Sequence, residues 1–347
     1  MMKYLSSLKS QYLKGKICIL RLDFNTEDNW RMEASLPTLK FLIKNCRAVV
    51  ILSHKGRPRG FEEKLSLRNS AKDLKKALKK QVIFVPHFRF QEIKNLIDSV
   101  PKGSIFLLEN LRFLEGEEQN NSVLAEHLAS LGNFYVNDAF AVSHRANASV
   151  AAITEFLPSY AGLELETELK NLSQAIKNPG KPFVIILGGL KIKDKLEVYH
   201  NLKNKVDKFL IGGALTTEML NMKFWDPKLK TKNLIMPLDF KLDKAVIHDI
   251  GPESVKLFKE KIKMAKTIIW NGPLGDIRQK KFSNGTKEIA KAMSANTTAF
   301  KIIGGGETVM FFKKMKLDKK INFVSTGGGA MLDFLAGKKL PGIEALK

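Results

Sequence analysis

Cysteine is nearly absent from this chain: Cys18 and Cys46 are the only two in 347 residues. They form no CxxC pair and sit in or beside apolar runs, so both read as small core residues of a reducing compartment and no disulfide is expected. No apolar stretch approaches the roughly 20 residues that span a bilayer. Met1 to Gly15 has basic and small residues but no sustained apolar segment, so no secretory leader is expected and the protein is placed in the cytoplasm. Neither the phosphate loop GxxxxGK[ST] nor the dinucleotide fingerprint GxGxxG occurs, so any nucleotide site belongs to another class. Repeats and low-complexity segments are missing too.

Acidic residues are the other shortage. Against 58 Lys and Arg stand 35 Asp and Glu, a net charge of +23. Residues 1–160 carry 24 basic and 16 acidic side chains, and residues 161–347 carry 34 and 19. Much of the second excess is lysine strewn over helical patterns, such as Lys256, Lys259, Lys263, Lys313 and Lys316. A nucleic-acid groove interleaves aromatic with basic residues, and these stretches are poor in Tyr and Trp. The composition favours a solvated basic surface, with nucleic-acid binding as a remote alternative.

A chain of 347 residues exceeds what one core usually organises, so two domains are expected. Short Val/Ile/Leu/Phe runs alternate with helical patterns, the signature of βαβ units and parallel sheets. Strands are predicted at Ile17–Leu22, Val49–Leu52, Val82–Val85, Ile105–Leu108 and Phe134–Val136. In the second half they are predicted at Phe183–Leu187, Lys208–Ile211, Leu234–Met236, Thr267–Trp270, Ala299–Ile303 and Asn322–Val324. Helices fall at about Leu36–Asn45, Leu67–Lys80 and Val123–Leu131, and an amphipathic helix over Gly162–Ile176 bridges the halves.

Ligands of such sheets bind beyond the carboxyl ends of the strands, and here the two halves differ. First-half strands run into Arg21-Leu-Asp23-Phe-Asn25, Ser53-His54-Lys55-Gly56-Arg57, Glu109-Asn110-Leu-Arg112 and Asn137-Asp138 with His144-Arg145. Several arginines on one rim suit a small polyanion, held in bidentate forks, with Asp23 and Asp138 orienting arginines or a substrate hydroxyl. Second-half strands end in glycine: Gly188-Gly189, Gly212-Gly213, Gly304-Gly305-Gly306 and Gly327-Gly328-Gly329, besides Asn271-Gly-Pro273. Four such turns suggest a floor of exposed backbone N–H groups cradling phosphate. Lys191 and Lys195, four apart after Gly188-Gly189, are predicted on one face of a starting helix, where their charge can follow a moving phosphoryl group. The same spacing also fits a solvated surface. An anion pocket in one half and a phosphate cradle in the other describe phosphoryl transfer between a metabolite and a nucleotide.

The motifs RLDFN, LPT, SHKGRP, ENLRF, YVNDAF, HRA, GGLKIKDK, IGG, DIGP, WNGPLG, GTK, IIGGGET, STGGGA and LPG, in this order from Leu20 to the C-terminus, resemble the phosphoglycerate kinase family. The resemblance implies two Rossmann-like α/β domains, each a parallel sheet flanked by helices, that close on each other. Residues 1–160 would bind 3-phosphoglycerate and residues 161–330 nucleotide, with 161–178 as the interdomain helix at the hinge and 331–347 returning to the first domain. It implies reversible transfer of the acyl phosphate of 1,3-bisphosphoglycerate to Mg-ADP, giving 3-phosphoglycerate and ATP, in glycolysis and gluconeogenesis. The family is usually monomeric, and no membrane or specific nucleic-acid partner is implied.

Carried over motif by motif, Asp23 and Asn25 would contact the glycerate. His54, Arg57, Arg112 and Arg145 would grip its phosphate end, with Lys55 and Gly56 in the same site, and Arg31 would meet the reacting carboxyl group. Lys195 would accompany the transferring phosphoryl and Lys191 the nucleotide phosphates. Gly188, Gly189, Gly212, Gly213, Asn271, Pro273, Gly304, Gly305, Gly306, Glu307 and Thr308 would line the nucleotide, with Glu307 near Mg²⁺. Gly327 and Gly328 would supply N–H groups at the transition state.

Against the family pattern, the loop from Asn25 to Arg31 is short, Asn147 replaces a histidine, and Glu307 replaces an aspartate. The glutamate that holds the ribose after WNGP is missing, with Asp276-Ile-Arg278-Gln-Lys280-Lys281 in its place, and Met222–Asp249 is trimmed. The basic transfer residues survive while the nucleoside side is eroded. Weak ADP and ATP binding with loose discrimination between adenine and guanine is therefore expected, and a family-derived protein with little catalysis is the alternative. If the charge serves solubility alone, DNA and RNA binding should be weak and should vanish by physiological salt. Fluorescence anisotropy checks this, and submicromolar binding at that salt would revive the nucleic-acid reading.

Overall fold

Apolar runs without alternation become strands covered on both faces. In the computed structural model, which describes residues 2–26, 28–221 and 232–347, they build two compact units. One comprises Met1–Leu169 with Lys339–Lys347, the other Lys170–Lys338. The division falls inside the helix Leu163–Lys177, later than the boundary placed at 160 from the sequence, and only the last nine residues join the first unit.

The first unit holds β1 (Ile17–Arg21), β2 (Ala48–Leu52), β3 (Ile83–Val85), β4 (Ser104–Leu108), β5 (Phe134–Asn137) and β6 (Ser159–Ala161). They form one sheet in the order β3-β4-β2-β1-β5-β6, every pair parallel. Its core joins Cys18, Leu20, Val49, Ile51, Leu107 and Val136 of the sheet to Leu39 and Leu42 of the helix Trp30–Asn45. Both cysteines are free and buried.

The second unit holds β7 (Phe183–Leu187), β8 (Lys208–Ile211), β9 (Leu234–Ile235), β10 (Phe240–Asp243), β11 (Val246–Ile250), β12 (Thr267–Asn271), β13 (Phe300–Gly304) and β14 (Phe323–Val324). Its parallel sheet runs β14-β13-β12-β7-β8-β9, and β10 and β11 form a separate antiparallel hairpin. Chain order reverses beside β1 in one sheet and between β7 and β12 in the other, the place where doubly wound sheets open a crevice.

Several elements differ from the sequence expectation. The helix predicted from Leu36 starts at Trp30, because Pro37 lies inside it instead of opening it. The helix Phe90–Ser99 was not expected, nor was the three-residue edge strand β6. The hairpin β10–β11 was missed because Lys244 and Ala245, at φ 46° and 64°, make its turn in place of the usual Asn-Gly or Asp-Gly. Part of the trimmed stretch, residues 222–231, lies outside the described residues.

Asp138 follows β5 and caps the helix Leu163–Lys177, its Oδ1 accepting the N–H groups of Glu164 (2.9 Å) and Leu165 (3.0 Å). A side chain at Gly162 would collide with this carboxylate. Burial raises Asp138 to a pKa of about 6. Glu164 is also pushed well up, first by burial and then by the Glu168 and Asp138 carboxylates. The folded state thus keeps protons that the unfolded chain releases, so this stabilisation is present at acid pH and is lost as pH rises through the folded values. Glu164→Gln should therefore raise the melting temperature by roughly 2–4 °C more at about pH 8.5 than at about pH 5. A thermal-shift series across that range checks it, and a gain independent of pH would contradict the assignment.

Candidate functional site

The loops after β1, β2, β4 and β5 carry the first unit's polar residues. Asp23 accepts Arg31 Nη1 at 3.1 Å and its own loop's Asn25 N–H at 2.7 Å. Asn25 Oδ1 accepts the Gly56 N–H at 2.8 Å, while Asn110 Oδ1 accepts the Lys55 N–H at 3.2 Å and its amide donates to the Lys55 carbonyl at 2.8 Å. Arg112 is buried and donates to the Gly56 carbonyl. Its Nε lies 3.2 Å from Glu118 Oε1, an oxygen that Arg145 Nη1 also approaches at 3.6 Å. Arg57 is exposed. These contacts join Asp23, Asn25, Arg31, Lys55, Gly56, Arg112 and Arg145 through shared partners, and His54 Nδ1 meets Arg21 Nη2 at 3.2 Å.

His54 is buried, and burial holds its pKa well below the usual value; nearby Asp23 opposes this, while Arg21, Arg112 and Arg31 add to it. Burial works to raise Asp23, but the charges of Arg31 and Arg21 and the Asn25 N–H hold it below the ordinary carboxylate range. Two expectations fail here. Asp138 does not orient arginines, because its Oδ1 caps a helix. Arg21 does not reach out as a rim arginine; it is buried on Glu117, Ser149 and His54. Glu117 and Glu118 were not singled out in the sequence, where nothing separates them from any acidic loop.

In the second unit the glycine turns divide by position. At Gly188, Gly212 and Gly304 a side chain would strike Pro273, Leu274 or Met331, so these residues serve close packing. Their successors Gly189, Gly213 and Gly305 have φ of 66°, 61° and 87°, which only glycine adopts readily. The expected floor of free N–H groups is smaller than foreseen. Gly188, Gly189 and Gly213 donate to the carbonyls of Asn271 (3.0 Å), Pro273 (2.7 Å) and Leu274 (2.8 Å), and Gly212 donates to Leu187 (3.0 Å). Gly327 donates to Ser325 Oγ at 3.1 Å, whereas Gly328 lines a cavity. What remains is the start of the helix Gly306–Lys314, whose first N–H groups have no intrahelical acceptor.

That cavity holds about 340 Å³ and is lined by Lys191, Lys195, Asn271, Pro273, Gly305, Gly306, Glu307 and Thr308. Thr308 Oγ1 accepts the Gly272 N–H at 2.9 Å. Lys191 does not share a helix face with Lys195; it is the left-handed cap, at φ 60°, of the helix Ile192–Leu202. Lys195 is buried and donates to the Leu190 carbonyl. Burial lowers its pKa to about 8, Asp194 and Glu307 opposing and Lys191 assisting.

A second cavity of about 220 Å³ shares Gly189, Pro273 and Glu307 with the first, and adds Gly213, Ile247, His248, Asp276 and Arg278. His248 stacks on Phe282 with centroids 4.3 Å apart. Arg278 is 80% exposed and folds onto Asp276, Nε to Oδ1 2.9 Å. Asp276, overlooked as a site residue, thus brings a carboxylate to a wall expected to lack one, and Lys280 is not among the lining residues.

Adding a side chain separates packing from ligand approach. Gly272 has φ 91° and its Cβ would strike the Gly188 carbonyl, whereas nothing lies within 4 Å of a Cβ at Gly306. Gly272→Ala should cost about 2–4 kcal/mol and Gly306→Ala less than about 0.5 kcal/mol. Chemical denaturation of both variants checks this; equal losses would refute the division.

The family model for phosphoglycerate kinase matches residues 8–233 and 228–338. The phosphoglycerate kinase of Dictyoglomus turgidum is 38% identical over 391 residues, covering 99% of each chain. That of Thermosipho africanus is 40% identical over 384 residues, covering 96% of each. Both alignments are longer than the 347 residues present, so this chain carries the gaps of a shortened relative. Among solved structures, phosphoglycerate kinase from Coxiella burnetii matches with a TM-score of 0.83 at 32% identity, covering 100% of this chain and 99% of the other. The enzyme from Pyrococcus horikoshii matches with a TM-score of 0.88 at 27% identity, covering 99% and 98%. With two parallel sheets, an arginine rim and a lysine-bearing glycine cavity already in place, the chain belongs to the phosphoglycerate kinase family.

Proposed function

We propose that the protein is a working phosphoglycerate kinase, moving the acyl phosphate of 1,3-bisphosphoglycerate to Mg-ADP reversibly. Buried Lys195 on the wall of the glycine-rich cavity carries this reading, because a chain that had lost catalysis would not need to hold a cation there. The first unit takes 3-phosphoglycerate and the second the nucleotide. Arg57, Arg112 and Arg145, with His54, Lys55 and Gly56, form the grip on the substrate phosphate. Asp23 and Asn25 face the glycerate, and Arg31, steadied by Asp23, meets the carboxylate. That carboxylate is already a nucleophile, so transfer needs positioning and charge stabilisation, not a strong base.

In the second unit Lys191, Asn271 and the Gly305–Thr308 turn hold the nucleotide phosphates, and Gly328 faces the reacting end. Asp276 supplies an acceptor for a sugar hydroxyl, and Ile247 and His248 offer a surface to the base. Nucleoside binding is then weaker than in the family but not unanchored. Among the described residues no three His, Cys, Asp or Glu side chains gather as a metal site. Mg²⁺ at such sites takes one or two carboxylates and completes its shell with substrate oxygens and water, and the exposed Glu307 carboxylate fits that demand. When bound, the ion neutralises charge building on the phosphate oxygens. A monomer goes with this reading, and two buried thiols suit a reducing cytoplasm.

A coupled assay of ATP formation from 1,3-bisphosphoglycerate and ADP tests the reading. Lys195→Ala should lower kcat by about 10²–10³ with little change in substrate affinity. Lys195 is protonated below its pKa of about 8 and loses its charge above it. Wild-type kcat/KM for ADP should therefore fall on the alkaline side of that value, and the variant should lack this limb. A wild-type kcat in Lys195→Ala would remove the lysine from the mechanism.

A further inference from the structure

Glu117 belongs to none of the groups assigned above, yet its carboxylate is 0% exposed. Oε1 accepts from Ser149 Oγ at 2.6 Å, Asn147 Nδ2 at 3.4 Å and Arg21 Nη2 at 3.4 Å, and Oε2 accepts the Ser149 N–H at 3.0 Å. The Glu117 carbonyl takes the Ala148 N–H at 2.9 Å. Glu117 thereby ties the segment that carries Arg112 to the segment that carries Arg145.

Arg21, the last residue of β1, is equally enclosed. Its Nε donates to Ser149 Oγ at 2.8 Å, its Nη1 to the Leu22 carbonyl, and its Nη2 also meets His54 Nδ1 at 3.2 Å. A guanidinium has donors and no acceptor, so Nδ1 must accept. The His54 proton then sits on Nε2 and the ring is neutral. Arg21 also lies close enough to Asp23 to act on its charge. Without a carboxylate of its own, a buried guanidinium would be drawn to Asp23 in competition with Arg31.

We propose that Glu117 is a positioning residue for the phosphoglycerate site: through Arg21 it fixes His54 as a neutral Nε2–H donor, and it leaves Asp23 free to orient Arg31. The proposal rests on the reading of His54 and the arginines as the phosphoglycerate site. Asn147 fits it, since a neutral amide on Glu117 leaves the carboxylate's charge to Arg21 alone.

The test uses the full chain labelled with ¹⁵N-histidine, His54 being assigned by comparison with His54→Gln. Wild type should show His54 protonated on Nε2 only, and its signals should move when 3-phosphoglycerate is added. In Glu117→Gln the ring should populate the other tautomer or the charged form. KM for 3-phosphoglycerate should rise about tenfold, the loss of part of one charge-assisted hydrogen bond, with kcat and KM for ATP within about twofold. If Glu117→Gln does not fold, Arg21→Lys, which keeps the charge but cannot reach Glu117 and His54 together, must show the same split. A wild-type ring protonated on Nδ1, an unchanged KM for 3-phosphoglycerate, or an equal rise in both KM values overturns the positioning role. Wild-type His54 signals that ignore 3-phosphoglycerate overturn the site reading and the proposal with it.

Discussion

Parallel strands stop their ladder at one edge, and the loops that leave that edge must satisfy their own backbone groups before any ligand can bind. Each unit meets this constraint with different chemistry. In the second, loops interlock: the N–H groups of Gly188, Gly189 and Gly213 go to the carbonyls of Asn271, Pro273 and Leu274. Main chain can approach main chain that closely only where no Cβ intervenes, which is why glycines recur at the strand ends. In the first, side chains stand in for backbone. Asn110 accepts two N–H groups, of Lys55 and Arg112, and donates to two carbonyls, of Lys55 and Leu65, and Ser53 Oγ bridges the Phe24 N–H and the Leu22 carbonyl.

Those two solutions set how charge is held. The amide-braced rim sets Arg31 and Arg112 close to buried Arg21, and these guanidiniums would repel one another in a low-dielectric setting. Asp23, Glu117 and Glu118 each take a partner from that set, and His54 remains uncharged. The guanidiniums are therefore balanced by this chain's own carboxylates, and the rim's most exposed member, Arg57, is the one outside these pairs. The glycine-braced cavity holds a different kind of cation. Lys195 rests on the Leu190 carbonyl with only partial compensation from Asp194 and Glu307, so its ammonium gains most when an anion arrives.

The strands of the two parallel sheets, β6 apart, were legible because buried parallel strands leave unbroken apolar runs, as in Phe183–Leu187 and Lys208–Ile211, which fall where the sequence placed them. The elements that escaped notice lack such a run: β6 has three residues, and the β10–β11 turn uses Lys244-Ala245 where the familiar glycine is absent. At the sites, residue types were legible and their directions were not. Arg21 looks like Arg31 in sequence, yet one points into the core and the other towards Asp23. Gly188 and Gly189 are neighbours of one kind, yet one packs and the other turns. Such distinctions depend on what lies across the loop, and one-dimensional spacing does not contain it.

The same contrast bears on the nucleotide site proposed above. Phosphate recognition requires backbone to come near the ligand, and only glycine at particular places permits that, so its sequence is tightly constrained. A nucleoside wall asks for an apolar surface and a hydrogen-bond acceptor, which side chains from several positions can deliver. Here Ile247 and His248 come from the β10–β11 hairpin and the carboxylate from Asp276, braced by Arg278 and Gln279. On the reading proposed above, the missing glutamate would not leave the nucleoside wall without an acceptor, because the requirement is for a carboxylate within the cavity and not for a residue at one position in the chain.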